Sequence, residues 1–435
     1  MTVLENNRTA PFTLRIEQEL LIQHEQEKSY PEITFQVPDQ VEKIEVCYRY
    51  PKNEQTVVDI GLRSPERLIG WSGGARERFF VGLEKATPGY LAGPLKPGQW
   101  AVMLGAYRIP EEGCRVSVEI LLTLKHERWL KGDLHAHTRH SDGSYTPEQA
   151  MELSLRKGLD YLALTDHNTA SQNRFAHAGH EELLLIPGVE LTSYKGHANL
   201  FGHPDSLEDF RVLTREQAAA ELEKARDKGA LISLNHPFDD SCPWEFGFDV
   251  PYDAVEVWNG PWRELNETAI RWWQEQLAQG QRIVAIGGSD VHRTEAYITH
   301  GTPTAYVLAG SETAGAIIEG IRRGTVVISM DANETFMDFK AGQTRIGGTV
   351  SAAEGEEVTF EIQIRGAVQD RIGLWSDRGL EQEWNVEHKQ DIVLNLPGDR
   401  LFYRLEARRF LPEHNIEVMS CLTNPIYLER QGASS

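Results

Sequence analysis

Between Lys131 and Thr146 the chain reads KGDLHAHTRHSDGSYT, and no other stretch constrains the fold as tightly. Asp133, His135 and His137 occupy alternate positions. On an extended strand this period puts all three side chains on one face, in steps of roughly 7 Å. Asp142-Gly143 follows as a turn signal. Imidazoles and a carboxylate gathered at a strand end suit zinc, manganese or iron. A His-rich surface loop would read the same way, so the rest of the chain has to decide.

The length of 435 residues argues for two to four domains with ample core. No run of about 18 apolar residues is present, so no membrane span is expected. The opening MTVLENNRTAPFTL lacks a basic segment followed by an apolar one, so no signal peptide is expected. A formal charge of -21 argues against nucleic-acid or anionic-membrane partners. It leaves an anionic small substrate open, because bound metals reverse the local sign. Cys47, Cys114, Cys242 and Cys421 show no CxxC spacing. Their scatter fits a reducing, cytoplasmic setting with neither a disulfide framework nor a zinc-thiolate site.

Along the chain, 1–128 reads as an N-terminal β domain, with a β-sandwich the natural form. It holds one decoy: Gly70-Trp71-Ser72-Gly73-Gly74 fits the G-x-S-x-G elbow of serine hydrolases. That elbow needs a helix after it, whereas ARERFFVGL reads as a strand. From 129 to 332 four helix–glycine–strand modules follow one another, two opening with the capping boxes Thr146–Gln149 and Thr214–Gln217. Their strands end on Asp166-His167, Asn235-His236, Asp290-Val291-His292 and Asp331. Such alternation predicts a mostly parallel α/β barrel with its chemistry at the C-terminal strand ends. Residues 333–435 return to β, and Gln431–Ser435 are expected to fray.

Nine residues stand out as metal ligands: His135, His137, Asp142, His167, Glu190, His197, His236, Asp290 and His292. Eleven of the fifteen histidines lie between 129 and 332. No cysteine joins the set, so its character is hard to borderline. Nine donors exceed what one tetrahedral ion needs, which implies two or three metals.

The D-x-H-x-H run with its following Asp, the T-D-H, the lone Glu, the single histidines and the terminal D-x-H resemble the PHP (polymerase and histidinol phosphatase) superfamily. ATPGYLAGPLKPGQW and LTNPIYL resemble its carbaryl-hydrolase-like branch. The resemblance implies a distorted (β/α)7 barrel flanked by N-terminal and C-terminal β-sandwich-like domains, with two or three divalent ions (Zn, Mn or Fe). It places His135, His137, Glu190 and Asp290 on one metal. Glu190 bridges to a second with His197 and His236. Asp142, His167 and His292 hold a third.

The chemistry so implied is hydrolysis by water activated between adjacent cations, with no protein nucleophile. Arg139, His140, Lys195, His203, Asn259 and Arg293 are candidates for substrate contact, His203 also for a general acid. Asp133 and Asp166 are expected to orient imidazoles. Trp244, Trp258 and Trp262 are candidates to line an apolar pocket, while Trp272 and Trp273 read as packing. His177 and His180 read as surface. The leading function is a phosphoesterase for small phosphate mono- or diesters. The alternatives are a carboxylester or carbamate hydrolase, a non-catalytic metal-binding module and, more remotely, a serine esterase using Ser72. The expected partner is a small-molecule ester, with no nucleic acid or membrane. A homo-oligomer formed through the β domains is compatible with the sequence.

Overall fold

The structure is a computed structural model. It describes residues 13–178, 182–203, 205, 207–367, 369–386 and 390–430. His180 and the tail expected to fray lie outside the described residues. The chain forms two compact units: Met1–Arg128 with His177–Leu184 and Gly310–Thr313, and the remainder.

In the first unit, strands alternate buried and exposed residues, as Glu32–Val37 does throughout. Period-two alternation makes each sheet apolar on one face only, so two sheets must pair. One consists of Thr13–Ile22, Cys114–Leu124, Val41–Arg49 and Arg78–Gly82, the other of Glu32–Val37, Gly98–Arg108, Val57–Arg63 and Leu68–Gly73. Ile44, Val46, Ile120, Val58, Ile60 and Val102, drawn from both sheets, share one core. This is a β-sandwich. Ser72 sits inside the strand Leu68–Gly73 and donates to the Tyr90 hydroxyl at 2.8 Å. A strand, not a helix, follows it, so the G-x-S-x-G run is no nucleophile elbow.

The second unit carries the modules. Its strands are β1 (Arg128–Asp133), β2 (Tyr161–Leu164), β3 (Leu184–Ser193), β4 (Gly196–Phe201), β5 (Leu231–Asn235), β6 (Ala254–Asn259), β7 (Val284–Gly288), β8 (Thr304–Ala309) and β9 (Val326–Ser329). The helices are α1 (Pro147–Arg156), α2 (Asn173–Ala178), α3 (Arg215–Asp227), α4 (Glu264–Ala278) and α5 (Ala314–Arg322). Both capping boxes form: Thr146 accepts from the Gln149 amide, and Thr214 from the Gln217 amide. After α1 the chain turns at Gly158, whose φ of 74° is open to glycine.

The hydrogen-bonded order is β7-β6-β5-β4-β3-β2-β1-β8-β9, continuing into C-terminal strands. β1–β2, β5–β6 and β6–β7 are parallel. β4 departs from the parallel expectation: it is antiparallel to both β3 and β5. The turn from β3 at Tyr194-Lys195 leaves no room for a crossover helix, and a hairpin can only be antiparallel. The curled sheet meets itself at its C-terminal rim through a parallel bridge between Ala136 and Val291. There the Asp290 amide donates to His135 O at 2.8 Å and the His137 amide to Val291 O at 3.0 Å. Gly288 permits that approach, since a Cβ there would lie 2.4 Å from His135 Cβ. Beyond β9, the pairing with Ile416–Thr423 is antiparallel, so residues 336–430 share this unit and have an apolar core around Phe339, Phe360 and Leu405.

Candidate metal centre

The rim is tied together by two buried carboxylates. Asp133 accepts from the amides of His135 (3.1 Å), Ser289 (3.0 Å) and Gly301 (2.8 Å) and from Ser289 Oγ (2.6 Å). Asp166 accepts from Thr138 and Ser141, through both amides and both hydroxyls. The sequence suggested that they orient imidazoles. They hold backbone instead, fixing the segments from which the imidazoles project.

Glu190, fully buried on β3, is the hub. Its Oε1 lies 3.2 Å from His135 Nε2, 3.4 Å from His197 Nδ1 and 3.8 Å from His236 Nε2. Its Oε2 lies 2.6 Å from His167 Nδ1 and 3.8 Å from His137 Nε2. Asp290 Oδ1 lies 3.0 Å from His137 Nε2 and 3.3 Å from His135 Nε2. Asp142 Oδ1 completes the outer edge, 3.3 Å from His167 Nε2 and 3.4 Å from His292 Nε2. All nine side chains singled out in the sequence converge, although strand-to-strand connections separate them by up to 157 positions. The backbone of two of them is strained where it serves the site: φ is 27° at His236 and 52° at Asp290, values that non-glycine residues seldom adopt, and it is 56° at Asn168, next to His167.

The donor set fits metal ions. Nε2 of His135 is buried and makes no hydrogen bond, although two carboxylate oxygens stand within 3.3 Å. Nδ1 of His137 is likewise buried without a partner. Ligands about 2.1 Å from a tetrahedral ion are about 3.4 Å apart, the spacing seen around Glu190 and Asp290. Burial opposes the charge on Glu190, but His197, His135 and His167 outweigh it and hold the carboxyl well below its usual range. Burial likewise opposes the Asp290 charge, and His135, His137 and His236 overcome it. His135 is raised against its burial by Asp290, Glu256 and Glu190, whereas burial prevails at His137 and lowers it.

Two neighbours went unnoticed in the sequence. Glu256 on β6 is buried, with Oε1 3.0 Å from His135 Nδ1 and Oε2 accepting from the His236 amide (3.1 Å) and Asn259 Nδ2 (3.1 Å). Its signal was a lone carboxylate within the apolar strand AVEVWN. Cys242 Sγ lies 3.7 Å from His236 Nδ1, the ring nitrogen opposite the one that faces Glu190.

A cavity of about 470 Å³ opens beside His236, Asp290 and His292, and its other walls include Cys242, Asn259, Arg263, Arg293 and Ile298. Of the candidates for substrate contact, Asn259 touches Asp290 Oδ2 at 3.3 Å, and Arg293 lines the cavity with Glu295 at 3.5 Å. Arg139 Nε is engaged by Ser144 O (2.8 Å) and His140 Nδ1 by Ser171 Oγ (2.6 Å), while Lys195 is exposed beside the β3–β4 turn. His203 is not brought to the site. Because β4 is antiparallel, His197 begins it at the rim and His203 follows its far end, with Nδ1 on Asp205 O. Trp244, Trp258 and Trp262 are absent from the cavity wall. Trp258 is buried against Trp262, and Trp244 packs on Phe246. Trp273 packs as expected, with its Nε1 on Ile283 O, and Trp272 stacks on Phe248.

Residues 133–239 match the family described as PHP domain. That span holds seven of the nine side chains, and Asp290 and His292 join from beyond it. The chain is 27% identical over 168 residues to an uncharacterised protein of Methanocaldococcus jannaschii, 34% of this chain and 95% of that one. It is 36% identical over 118 residues to the 5'-3' exoribonuclease Rnm of Escherichia coli (strain K12), 23% of this chain and 40% of that one. It is 38% identical over 64 residues to a phosphoribosyl 1,2-cyclic phosphate 1,2-diphosphodiesterase of Eggerthella lenta, 14% and 24% of the respective chains. It thus spans less than half of the two relatives with named activities. Among solved structures, a two-domain Bacteroides vulgatus protein described as containing a PHP-like metal-dependent phosphoesterase matches with TM-score 0.41 and 17% identity, over 68% of this chain and 96% of that one.

Proposed function

We propose, for a chain that carries a PHP domain over residues 133–239, that it is a metal-dependent phosphoesterase acting on small phosphate mono- or diesters. The convergence of nine donor side chains, buried at the Glu190 hub and opening to solvent at Asp142, beside a cavity carries this reading. In it, His135, His137, Glu190 and Asp290 hold one ion. Glu190, His197 and His236 hold a second, and Asp142, His167 and His292 a third. Divalent ions held there supply Lewis acidity and an activated water.

The chain's own residues do the rest. Glu256 holds the His135 ring through Nδ1, leaving Nε2 to face the centre. Asn259 steadies Asp290. Arg263, joined to Asn259 Oδ1 at 3.0 Å, and Arg293 give the cavity two guanidinium groups suited to an anionic ester. The cavity has the size of a small-molecule site, and the net charge of -21 disfavours a polynucleotide. Relatives named as an exoribonuclease and a cyclic phosphate diphosphodiesterase support phosphate esters as the class. Among the described residues no helix is long and apolar enough to cross a membrane. We place the protein in the cytoplasm, with 1–128, 129–332 and 333–435 as its three functional segments.

The test is a substrate panel on metal-depleted protein reloaded with manganese or zinc. Turnover of p-nitrophenyl phosphate or bis-p-nitrophenyl phosphate well above that of p-nitrophenyl acetate is expected. Preference for the acetate would favour a carboxylester or carbamate hydrolase. No turnover of any of the three would favour a binding module.

A further inference from the structure

We propose that the C-terminal strand Phe402–Leu411 takes part in substrate binding: Arg408, acting through Glu267 and Trp262, fixes the loop that presents Arg263 to the cavity. The proposal rests on the phosphoesterase reading above. Arg263 grips the negative charge of the ester, and Arg408 is a positioning residue.

Residues 260–263 join β6 to α4, and Gly260, Pro261 and Arg263 line the cavity. The inner side of this loop is held by the barrel. Asn266, fully buried, accepts from the Asn259 amide (3.0 Å) and donates to Pro261 O (3.1 Å), and Trp258 Nε1 donates to Gly260 O (3.1 Å). The outer side is held from far along the chain. Trp262 Nε1 donates to Glu267 Oε1 at 3.2 Å. Arg408 grips the same carboxylate with two nitrogens, Nη1 on Oε1 at 2.6 Å and Nη2 on Oε2 at 3.1 Å, and its guanidinium carbon lies 5.8 Å from the centre of the Trp262 ring. Arg408 is itself anchored. Its Nε donates to Glu406 Oε2 at 3.2 Å, and buried Glu406 is held through Oε1 by Arg404. Arg404, Glu406 and Arg408 are alternate residues of one strand, and the two arginines reach Gln274 and Glu267 of α4. One strand face therefore grips the helix that the loop enters.

Arg263 is paired differently. Its Nη2 donates to the neutral Asn259 Oδ1 at 3.0 Å, and it makes no ion pair among the described residues. A guanidinium oriented by a neutral amide keeps its charge free for an anion. Arg263 is exposed, so its aim depends on the loop beneath it and not on packing of its own. A loop fixed on both sides removes freedom that the side chain would otherwise lose on binding.

Steady-state kinetics with p-nitrophenyl phosphate on metal-loaded, full-length protein tests this, with metal content and melting temperature recorded for every variant. The gripped charge is present before the reaction begins, so its loss falls on KM. Arg263→Gln should raise KM by about tenfold or more, the size of one charge-assisted hydrogen bond, with kcat little changed. Arg408→Gln and Trp262→Phe should each raise KM by about threefold at unchanged metal content. Trp262→Phe keeps a ring and removes only the link to Glu267, so it carries the test if Arg408→Gln does not fold. The double variants, Arg263→Gln with either of these changes, should have the KM of Arg263→Gln alone, because no guanidinium remains to be misplaced. A further, multiplicative rise in the double variants would overturn the inference and leave the phosphoesterase reading standing. So would an unchanged KM in the single variants. Wild-type protein that turns over no phosphate ester would overturn both.

Discussion

The second unit buries charge in two places, and they are built differently. In the C-terminal region Asp370 is fully buried, and its oxygens accept from Arg409 Nε (2.7 Å), Thr335 Oγ1 (2.6 Å) and Ser420 Oγ (2.6 Å). Arg404, equally buried, donates to Glu406 (2.7 Å) and Gln274 (2.8 Å) and lies over the rings of Trp273 and Trp375. These side chains are matched to one another, and guanidinium forks suit that work because they stay charged at any physiological pH. At the barrel rim, carboxylates meet imidazoles at 2.6 to 3.8 Å, and buried ring nitrogens of His135 and His137 lack hydrogen bonds. A buried polar atom without a partner costs about 1–3 kcal/mol, so a cluster that leaves two of them is incomplete by itself. The lesson is that burial of charge alone does not mark a site. Unpaired imidazole nitrogens gathered against buried carboxylates do, whereas isolated unpaired atoms such as Asp338 Oδ1 and Arg365 Nε occur in the C-terminal region as well.

That contrast can be broken in several ways. The largest effect is expected for Glu190→Gln, which should cost more than the roughly 100-fold in turnover that loss of an outer partner costs. Metal content per folded chain should fall with it, as measured by kinetics and elemental analysis. Asp370→Ala should do the reverse. Arg409 keeps Glu334 at 2.7 Å, but the buried Thr335 and Ser420 hydroxyls lose their acceptor, which should cost about 1–3 kcal/mol of stability, read by urea unfolding, with metal content per folded chain unchanged. Glu256→Gln should weaken metal binding or activity by about 10–100-fold in a metal titration, because only the hold on His135 Nδ1 is lost.

The two regions should also separate by pH. His135 and His236 have raised pKa values in the metal-free fold, against their burial: Asp290, Glu256 and Glu190 raise the first, Cys242, Glu190 and Asp290 the second. Their stabilisation is fully present below the unfolded value of about 6.5 and is lost as pH rises through the folded values. His137, lowered by burial, works in the opposite sense. Metal-free protein should therefore lose Tm as pH rises above neutral, while metal-loaded protein, whose imidazoles bind as neutral ligands, should not. The smallest effect is expected for Ser72→Ala, which removes one hydrogen bond to Tyr90, worth about 1 kcal/mol, and leaves turnover intact.

Much of this was legible in the sequence because period and punctuation report locally. The two capping boxes formed where they were read, and the alternate spacing of His135 and His137 put both side chains at the hub. Strand direction was less legible. β4 carries no mark that distinguishes an antiparallel strand from a parallel one, so His203 was placed with the site when it lies past the far end. Tryptophans beside rim residues in sequence misled for the same reason: neighbours on a strand face opposite ways, so Asn259 turns to Asp290 while Trp258 turns into the core. Glu256 hid inside an apolar run. Cys242 lay within a turn whose shape depends on Asp239, and no spacing rule names such a residue.

Equilibrium dialysis against zinc or manganese, followed by elemental analysis, tests the central claim most directly. The account predicts two or three tightly held ions per wild-type chain and fewer in Asp290→Asn. Wild-type protein that is fully folded and retains no metal would contradict it.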